Sequence, residues 1–457
     1  MKPISLHDIT AATGGVLLCG DGNQTVSSIC TDTRSITPNS LFVPLTGENF
    51  DAHKFIPDAL DGGCVATLTA KKEIVAEKAT IYVPDTRRAL ADLAAYYRKQ
   101  FQIPVVAITG SVGKTTAKEL TAAVLSTKLN VLKTAGNFNN EIGLPLTLFR
   151  LEDNHEAAIT EMGMSGFGEI DLLARIAKPD IALMTNIGMS HIEMLGSQEN
   201  IYKAKSELFR HVNPEGTVIL NGDDPILTAH RGEIAQKTLT VGLAAGCDLT
   251  ATDIVPKSNS LSFTIIYGSE KVPVTLAFPG EHNITNALLA CAVGLCLNIS
   301  LAEAAAGLEA YVPSDRRMQL IDSGGITLIN DCYNAAPASM EAGIKVLCSY
   351  SGRKIAVLGD IKELGEYTED AHKKIGHFAG KAGIDALFTL GDSAKWIAEG
   401  AKDAGMNTTN IFTFDDITSL NQSLGSFLKK GDTVLIKASR AMALERVTEF
   451  LTNKQNA

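Results

Sequence analysis

The sequence predicts an α/β protein of three domains: a small mixed α/β N-terminal domain over residues 1–101, a central domain with a mostly parallel sheet over 102–312, and a C-terminal doubly wound domain over 313–457. Three observations carry this expectation. The chain has 457 residues, which suggests two or three domains at roughly 150 residues each. Short apolar runs alternate with helix-patterned stretches through the second and third segments, the pattern of parallel sheets covered by helices. The first segment lacks that alternation and is punctuated by Gly14-Gly15, Asp21-Gly22-Asn23 and Asp61-Gly62-Gly63.

In the first segment LFVPL (41–45) reads as a strand, and DTRRALADLAAYYRKQ (85–100) as an amphipathic helix capped by Asp85 or Thr86. The second segment begins at Ile103-Pro104. VVAIT (105–109) is a buried strand running into Gly110, and a helix follows from Lys114 to about Thr127. Further strands are expected at AAITEM (157–162), IALMTNI (181–187) and GTVILN (216–221). Between 248 and 278 the period changes to two (LSFTIIY, VPVTLAF), which predicts a small antiparallel addition, and NALLACAVGLCL (286–297) reads as a buried helix. The third segment begins near Pro313, with strands at ITLIN (326–330), KIAVLG (354–359), DALFTL (385–390) and TVLIKA (433–438), a Rossmann-like arrangement.

Composition narrows the function classes. Apolar content is 45%, enough for several cores. The net charge of −10 and the lack of a Lys/Arg run argue against nucleic acid as a partner. MKPISLHDIT has no apolar stretch behind its lysine, and no run approaches the roughly 20 residues that span a bilayer. A cytoplasmic monomer without membrane insertion is expected. The eight cysteines are scattered without a CxxC pair, which argues against zinc knuckles and disulfides and for buried thiols.

The segment Thr109-Gly110-Ser111-Val112-Gly113-Lys114-Thr115-Thr116 follows a strand and opens a helix. Glycines let backbone N–H groups approach phosphate oxygens, and the helix N-terminus adds partial positive charge. Lys114 suits the β- and γ-phosphates, and the Thr115 hydroxyl suits Mg²⁺. The usual P-loop carries a Gly where this chain has Ile108, so the pattern is a shorter GxxGKTT. This P-loop central domain implies a nucleotide without specifying a reaction. Glu161 ends the strand of AAITEM, at the sheet edge where ligands bind, and is a candidate Mg²⁺ ligand. His191 in GMSHIEMLGS follows another strand, and Lys205 lies in AKSELF. Taken singly, His191 reads as a hydrogen-bonded loop residue and Lys205 as a solvated helix lysine.

In their order and spacing, GKTT, EMG, GMSHIEMLGS and AKSELF resemble the Mur ligase superfamily. The resemblance implies that Thr115 and Glu161 hold one Mg²⁺, that His191 helps hold a second, and that Lys205 is carbamylated by CO₂ and serves that second ion. Catalytic roles thus fall on Lys114, Glu161, His191 and Lys205. GEHNITNALLA (280–290) resembles the family's GxHNxxNxxA element, implying that Asn283 and Asn286 contact adenine, while Asn283 also suits a helix cap. SDRRMQL (314–320) and LINDCYNAAPASM (328–340) look like hinge-side elements, implying Arg317 near the γ-phosphate and Asp331 near the ribose.

The likeness is closest to the branch that adds D-alanyl-D-alanine to UDP-N-acetylmuramoyl-tripeptide with ATP, through an acyl phosphate. In that branch the common forms are YNANP, MLELGE and VKGSRGMRLE; here Ala336, Ile361-Lys362, Ala438 and Ala441 depart. The resemblance implies a uridine-diphosphate site near Thr33 and Arg34, substrate contacts at Asn137, Asn139 and Asn140, and contacts at Asn334, Lys437 and Arg440 for the substrate end. Lys437 and Arg440 suit a carboxylate or phosphate, and equally a solvated strand end. The GxGxxG turn of the branches that add L-alanine or D-glutamate is not visible here, and the DNPR element of the diaminopimelate-adding branch is missing from FTLGDSAKW (388–396). Another ligase of the superfamily, a nucleotide switch and a phosphotransferase remain as alternatives.

Overall fold

The computed structural model describes residues 1–47, 49–313 and 316–453. Glu48 of LTGENFDAHKFI, Ser314 and Asp315 of SDRRMQL, and residues 454–457 lie outside the described residues. The chain forms two compact units. One holds residues 1–109, 128–182 and 206–217, and the other holds 110–127, 183–205 and 218–457.

In the first unit, five strands form a sheet in the order Val16–Cys19, Ala79–Tyr82, Cys64–Thr69, Ser40–Phe42, Ser28–Cys30. The first strand is antiparallel to its neighbour and the others run parallel. LFVPL therefore contributes a shorter strand than its composition predicts, because Pro44 lacks the N–H a ladder needs. The helix Thr86–Arg98 starts where the sequence places it: the Asp85 carboxylate accepts from Arg87 and Arg88 N–H groups. Its buried Tyr97 hydroxyl donates to the Leu151 carbonyl at 2.7 Å and ties the helix down. A parallel set follows in the order Val131–Lys133, Ala157–Glu161, Val105–Thr109. All five residues of Val105–Thr109 and of Ala157–Glu161 are buried, as parallel strands covered on both faces require.

In the second unit, the helix Lys114–Leu125 packs against His282–Cys296 and Leu301–Glu309. The period-two region forms an antiparallel meander, Leu249–Pro256, Leu261–Tyr267 and Glu270–Leu276. The third sheet has the order Gln319–Ser323, Ile326–Asn330, Thr433–Lys437, Lys354–Gly359, Ala386–Leu390, Ile411–Phe414. Its first pair is antiparallel and the rest are parallel. Leu328, Val357, Phe388 and Ile436 point to one core with Leu420, Leu424, Val447 and Leu451 of two helices. The helix Pro337–Cys348 packs on the other face, against Thr433–Lys437 and Lys354–Gly359. Helices on both faces make the sheet doubly wound. Gln319–Ser323 and Ile411–Phe414 are half-buried edge strands that the sequence left unassigned; the first mixes polar with apolar residues, and the second is only four residues long.

Candidate active site

The turn before Lys114 is built from backbone. Gly110 has φ +146° and Gly113 φ +85°, conformations that side chains rarely adopt. A Cβ on Gly110 would lie 1.9 Å from Thr185 Oγ1, and one on Gly113 would lie 2.9 Å from Asn286 Oδ1. The segment after the strand Ile181–Met184 braces this turn. Ser111 N–H donates to the Asn186 carbonyl at 3.0 Å, Val112 N–H to Asn186 Oδ1 at 3.0 Å, and Thr185 Oγ1 to the Val112 carbonyl at 2.6 Å. Gly188 N–H completes the brace by donating to Ser111 Oγ at 2.8 Å. Sequence reasoning missed Thr185 and Asn186; their only signal was the polar TN ending an apolar strand.

Lys114 folds back over this turn, its Nζ donating to the Gly110 carbonyl at 2.6 Å and the Ser111 carbonyl at 3.3 Å. Thr115 Oγ1 accepts from the Arg317 guanidinium at 2.9 Å, and that guanidinium stacks on the Tyr333 ring at 4.1 Å. Arg317 is thereby delivered to the head of the phosphate-turn helix. Asn283 and Asn286 are both buried at the start of His282–Cys296. Asn283 Nδ2 donates to the Pro279 carbonyl, and Asn286 Nδ2 to Asn283 Oδ1.

Lys205 is not the solvated helix lysine that it resembles in isolation. It is fully buried on Gln198–Ser206, and its Nζ has no hydrogen-bond partner among the described residues. Burial first, and then repulsion from the Lys114 ammonium, hold its pKa well below the lysine range. A buried amine whose charged form is disfavoured beside a second lysine suits an anion there, and a neutral amine is the form that reacts with CO₂. Among the described residues no cluster of three His, Cys, Asp or Glu side chains forms a ready-made cation cage. Such a site would draw on the Thr115 hydroxyl, substrate phosphates and a carboxylate made at Lys205, and the orphaned amine fits that requirement.

His191 has φ +64° and caps the short helix Ile192–Leu195; its Nδ1 lies 2.6 Å from Glu363 Oε2. In the first unit, buried Glu161 stands opposite Ile108 in the parallel register and accepts from Asn139 Nδ2 at 2.9 Å. Asn140 Oδ1 caps Gly143–Leu148 by accepting from Gly143 N–H, and Asn137 is exposed. Arg34 forms a two-pronged pair with Asp32, which holds the Asp32 carboxyl at about 2. Thr33 lies in the turn between them.

Next to Tyr333 in the second unit, buried Lys437 donates to Asp331 Oδ2 at 2.6 Å and to the carbonyls of Asp331 and Asn334. Asp331 Oδ1 also accepts from Met318 N–H. All three ammonium protons of Lys437 thus have protein acceptors, and the lysine braces the Asp331–Asn334 loop. The Asn334 side chain is exposed, and Arg440 pairs with Glu445 at 2.6 Å. Two of the departures from the family pattern, Ala438 and Ala336, have local explanations. Ala438 is fully buried and stands where a Cβ on Gly359 would come within 2.8 Å, so the glycine makes room for it. Ala336 sits at the N-cap of Pro337–Cys348, where it offers no side-chain acceptor; Ser339 Oγ bonds the Ala336 N–H and carbonyl instead. Nothing in the structure explains Ala441.

Comparison with known proteins decides the family. Residues 108–294 match the Mur ligase middle domain, and residues 316–440 match the Mur ligase, glutamate ligase domain. The chain is 39% identical to the UDP-N-acetylmuramoyl-tripeptide–D-alanyl-D-alanine ligase of Bacillus subtilis, over 98% of each chain. This chain belongs to the Mur ligase family. Among solved structures the Mur ligase fold seen here is similar to MurF from Acinetobacter baumannii, with a TM-score of 0.93, 33% identity and 99% of each chain covered. It is also similar to MurF ligase from Thermotoga maritima in complex with ADP, with a TM-score of 0.85 and 29% identity over 94% of this Mur ligase and 98% of that chain.

Proposed function

We propose that this chain is an ATP-dependent ligase that joins D-alanyl-D-alanine to UDP-N-acetylmuramoyl-tripeptide, forming the UDP-muramoyl-pentapeptide of peptidoglycan synthesis in the cytoplasm. The observation that carries this reading is the 39% identity, over 98% of both chains, to a ligase so named. The phosphate turn and the buried lysine support it chemically. No described helix is long and apolar enough to cross a membrane.

In this reading residues 1–101 receive the uridine diphosphate, with Thr33 and Arg34 at the diphosphate. Residues 102–312 bind ATP, and 313–457 bind the dipeptide, with Asn334, Lys437 and Arg440 on that side. Asn137, Asn139 and Asn140 face the muramoyl tripeptide. The backbone of Gly110, Ser111, Val112 and Gly113, with Lys114 and Thr116, holds the phosphates. Asn283 and Asn286 serve the adenine, Asp331 the ribose, and Arg317 the γ-phosphate.

The tripeptide carboxylate attacks the γ-phosphorus, the bond to the β-phosphate oxygen breaks, and ADP leaves. Lys114 and Arg317 stabilise charge that develops on the transferring phosphoryl group. The dipeptide amine then attacks the acyl carbon, and the intermediate expels inorganic phosphate as the nitrogen loses its proton. Water would destroy the acyl phosphate, so the site must exclude it before transfer. The neutral Lys205 amine adds to CO₂ and releases a proton, giving a carbamate. Thr115, Glu161, His191 and that carbamate would hold two Mg²⁺, which when bound neutralise the β- and γ-phosphate charge.

Incubation with ATP, the UDP-linked tripeptide and D-alanyl-D-alanine tests the reading. Equal amounts of phosphate and pentapeptide are expected; phosphate without an amide product refutes it. Lys205→Ala should lose nearly all turnover and regain part of it in acetate, a small carboxylate that replaces the carbamate. No recovery in acetate, together with no response of the unsubstituted enzyme to bicarbonate, rejects the carbamate.

A further inference from the structure

The loop LGDIKELGE (358–366) has no role in the chemistry above, yet one of its side chains reaches a residue of the proposed metal site. Glu363 Oε2 lies 2.6 Å from His191 Nδ1. The contact is short but bent away from the ring N–H direction; Nδ1 is shielded from solvent and has no well-aligned hydrogen-bond partner among the described residues. Both residues adopt left-handed backbone, with φ +64° at each. Non-glycine residues held in that region mark places where the surrounding structure dictates the conformation.

The surroundings do so here. Ile361 N–H donates to Nε2 of the buried His372 at 3.0 Å, and Lys362 N–H donates to Ser439 Oγ at 2.9 Å. Lys362 Nζ pairs with buried Asp360, whose Oδ1 accepts from Ser393 and Ala394 N–H groups. The three residues before Glu363 are therefore pinned to the surrounding helix and strand ends. On the facing segment, Glu193 N–H donates to the Glu363 carbonyl at 3.3 Å, and Gly365 packs so closely that a Cβ there would lie 3.1 Å from Glu193. A rigid loop thus carries a carboxylate to one edge of the imidazole.

We propose that Glu363 is a positioning residue that orients His191, its carboxylate serving as the acceptor for the Nδ1–H so that Nε2 keeps its lone pair for the metal–nucleotide. The inference rests on the reading of His191 as a metal ligand. A histidine that binds metal through one nitrogen commonly donates its other N–H to a carboxylate, which fixes both tautomer and ring orientation. Because Glu363 belongs to the segment of residues 313–457 and His191 to that of 102–312, the pair also ties the phosphate chemistry to the dipeptide side of the enzyme.

Glu363→Gln keeps the shape and removes the charge. It should lower kcat and the Mn²⁺ affinity of the ADP-bound protein, read by electron paramagnetic resonance, by about 10- to 100-fold each. KM for the tripeptide and the dipeptide should stay within about two-fold, since Glu363 would act through His191. Glu363→Asp should restore part of the loss, and Glu369→Gln, at an exposed ion pair with Lys373, should change nothing. In ¹⁵N-histidine spectra without metal, assigned by the signal lost in His191→Ala, His191 should carry its proton on Nδ1 and shift toward Nε2 in Glu363→Gln. An Nε2–H tautomer in the unsubstituted protein overturns the proposal. So does Glu363→Gln that keeps both kcat and Mn²⁺ affinity while His191→Ala loses them, and in that case the reading of His191 stands. If His191→Ala also loses neither, that reading has itself failed.

Discussion

Two regions of the second unit handle charge in opposite ways. Around residues 110–116 the turn is shaped by its backbone: Gly110 and Gly113 adopt positive φ, Asn186 accepts from the Ser111 and Val112 N–H groups, and Thr185 donates to the Val112 carbonyl. Around Asp331–Asn334 the charges belong to side chains, and they are satisfied within the protein by Lys437. The first design leaves no room for a Cβ. The second tolerates exchange at neighbouring positions, as Ala336 and Ala438 show. A backbone site depends on a few consecutive residues, whereas a side-chain brace depends on partners 106 positions apart.

The sharpest way to break this comparison is Gly110→Ala. Its Cβ would collide with Thr185 Oγ1, which is itself held by the Val112 carbonyl. Loss of aligned phosphate donors should lower kcat by about 10²- to 10³-fold, with a matching loss of ADP binding by calorimetry. Near-normal values would show that backbone alignment is not what the turn supplies. Next in size is Lys437→Ala. Removing one partner of a buried ion pair costs about 3–5 kcal/mol, so urea denaturation should show a loss of that order. A variant of unchanged stability but raised KM for the dipeptide would make Lys437 a substrate anchor rather than a brace.

Ala336→Asn sharpens the same contrast from the stabilising side. Residue 336 has the extended φ −142° of an N-cap, and an Asn there could accept from the first helical N–H groups. A gain of about 1 kcal/mol is expected, with turnover changed less than stability. The smallest effect lies in the first unit. Lys71 first, and then the His53 N–H, hold the Asp51 carboxyl below the usual carboxylate range. A depressed folded-state pKa contributes stability above the ordinary carboxyl value of about 4, and that contribution is lost as pH falls through the depressed value. The stability gap between the unsubstituted chain and Asp51→Asn should therefore be full at pH 7 and shrink on acidification below about pH 4. A gap independent of pH would mean that charge plays no part.

Much of the fold was legible in the sequence. Buried parallel strands read as continuous apolar runs, so Val105–Thr109, Ile326–Asn330 and Lys354–Gly359 appear where they were expected. Edge strands did not, because half-exposed strands such as Gln319–Ser323 carry mixed residues. The phosphate turn was visible because its glycines and its lysine are adjacent. The roles of Thr185, Asn186 and Glu363 were not, since ordinary polar residues at strand ends and in loops gain meaning only from what they face.

The sequence by itself determined the order of the motifs and the glycine turn, because these depend on near neighbours along the chain. Tertiary structure decided that Lys205 is stripped of water, that Lys437 gives its protons to Asp331 and Asn334, and that Glu363 meets His191. Desolvation and ion pairing depend on what surrounds a group in space, and residues far apart in the chain supply those surroundings only after it has folded.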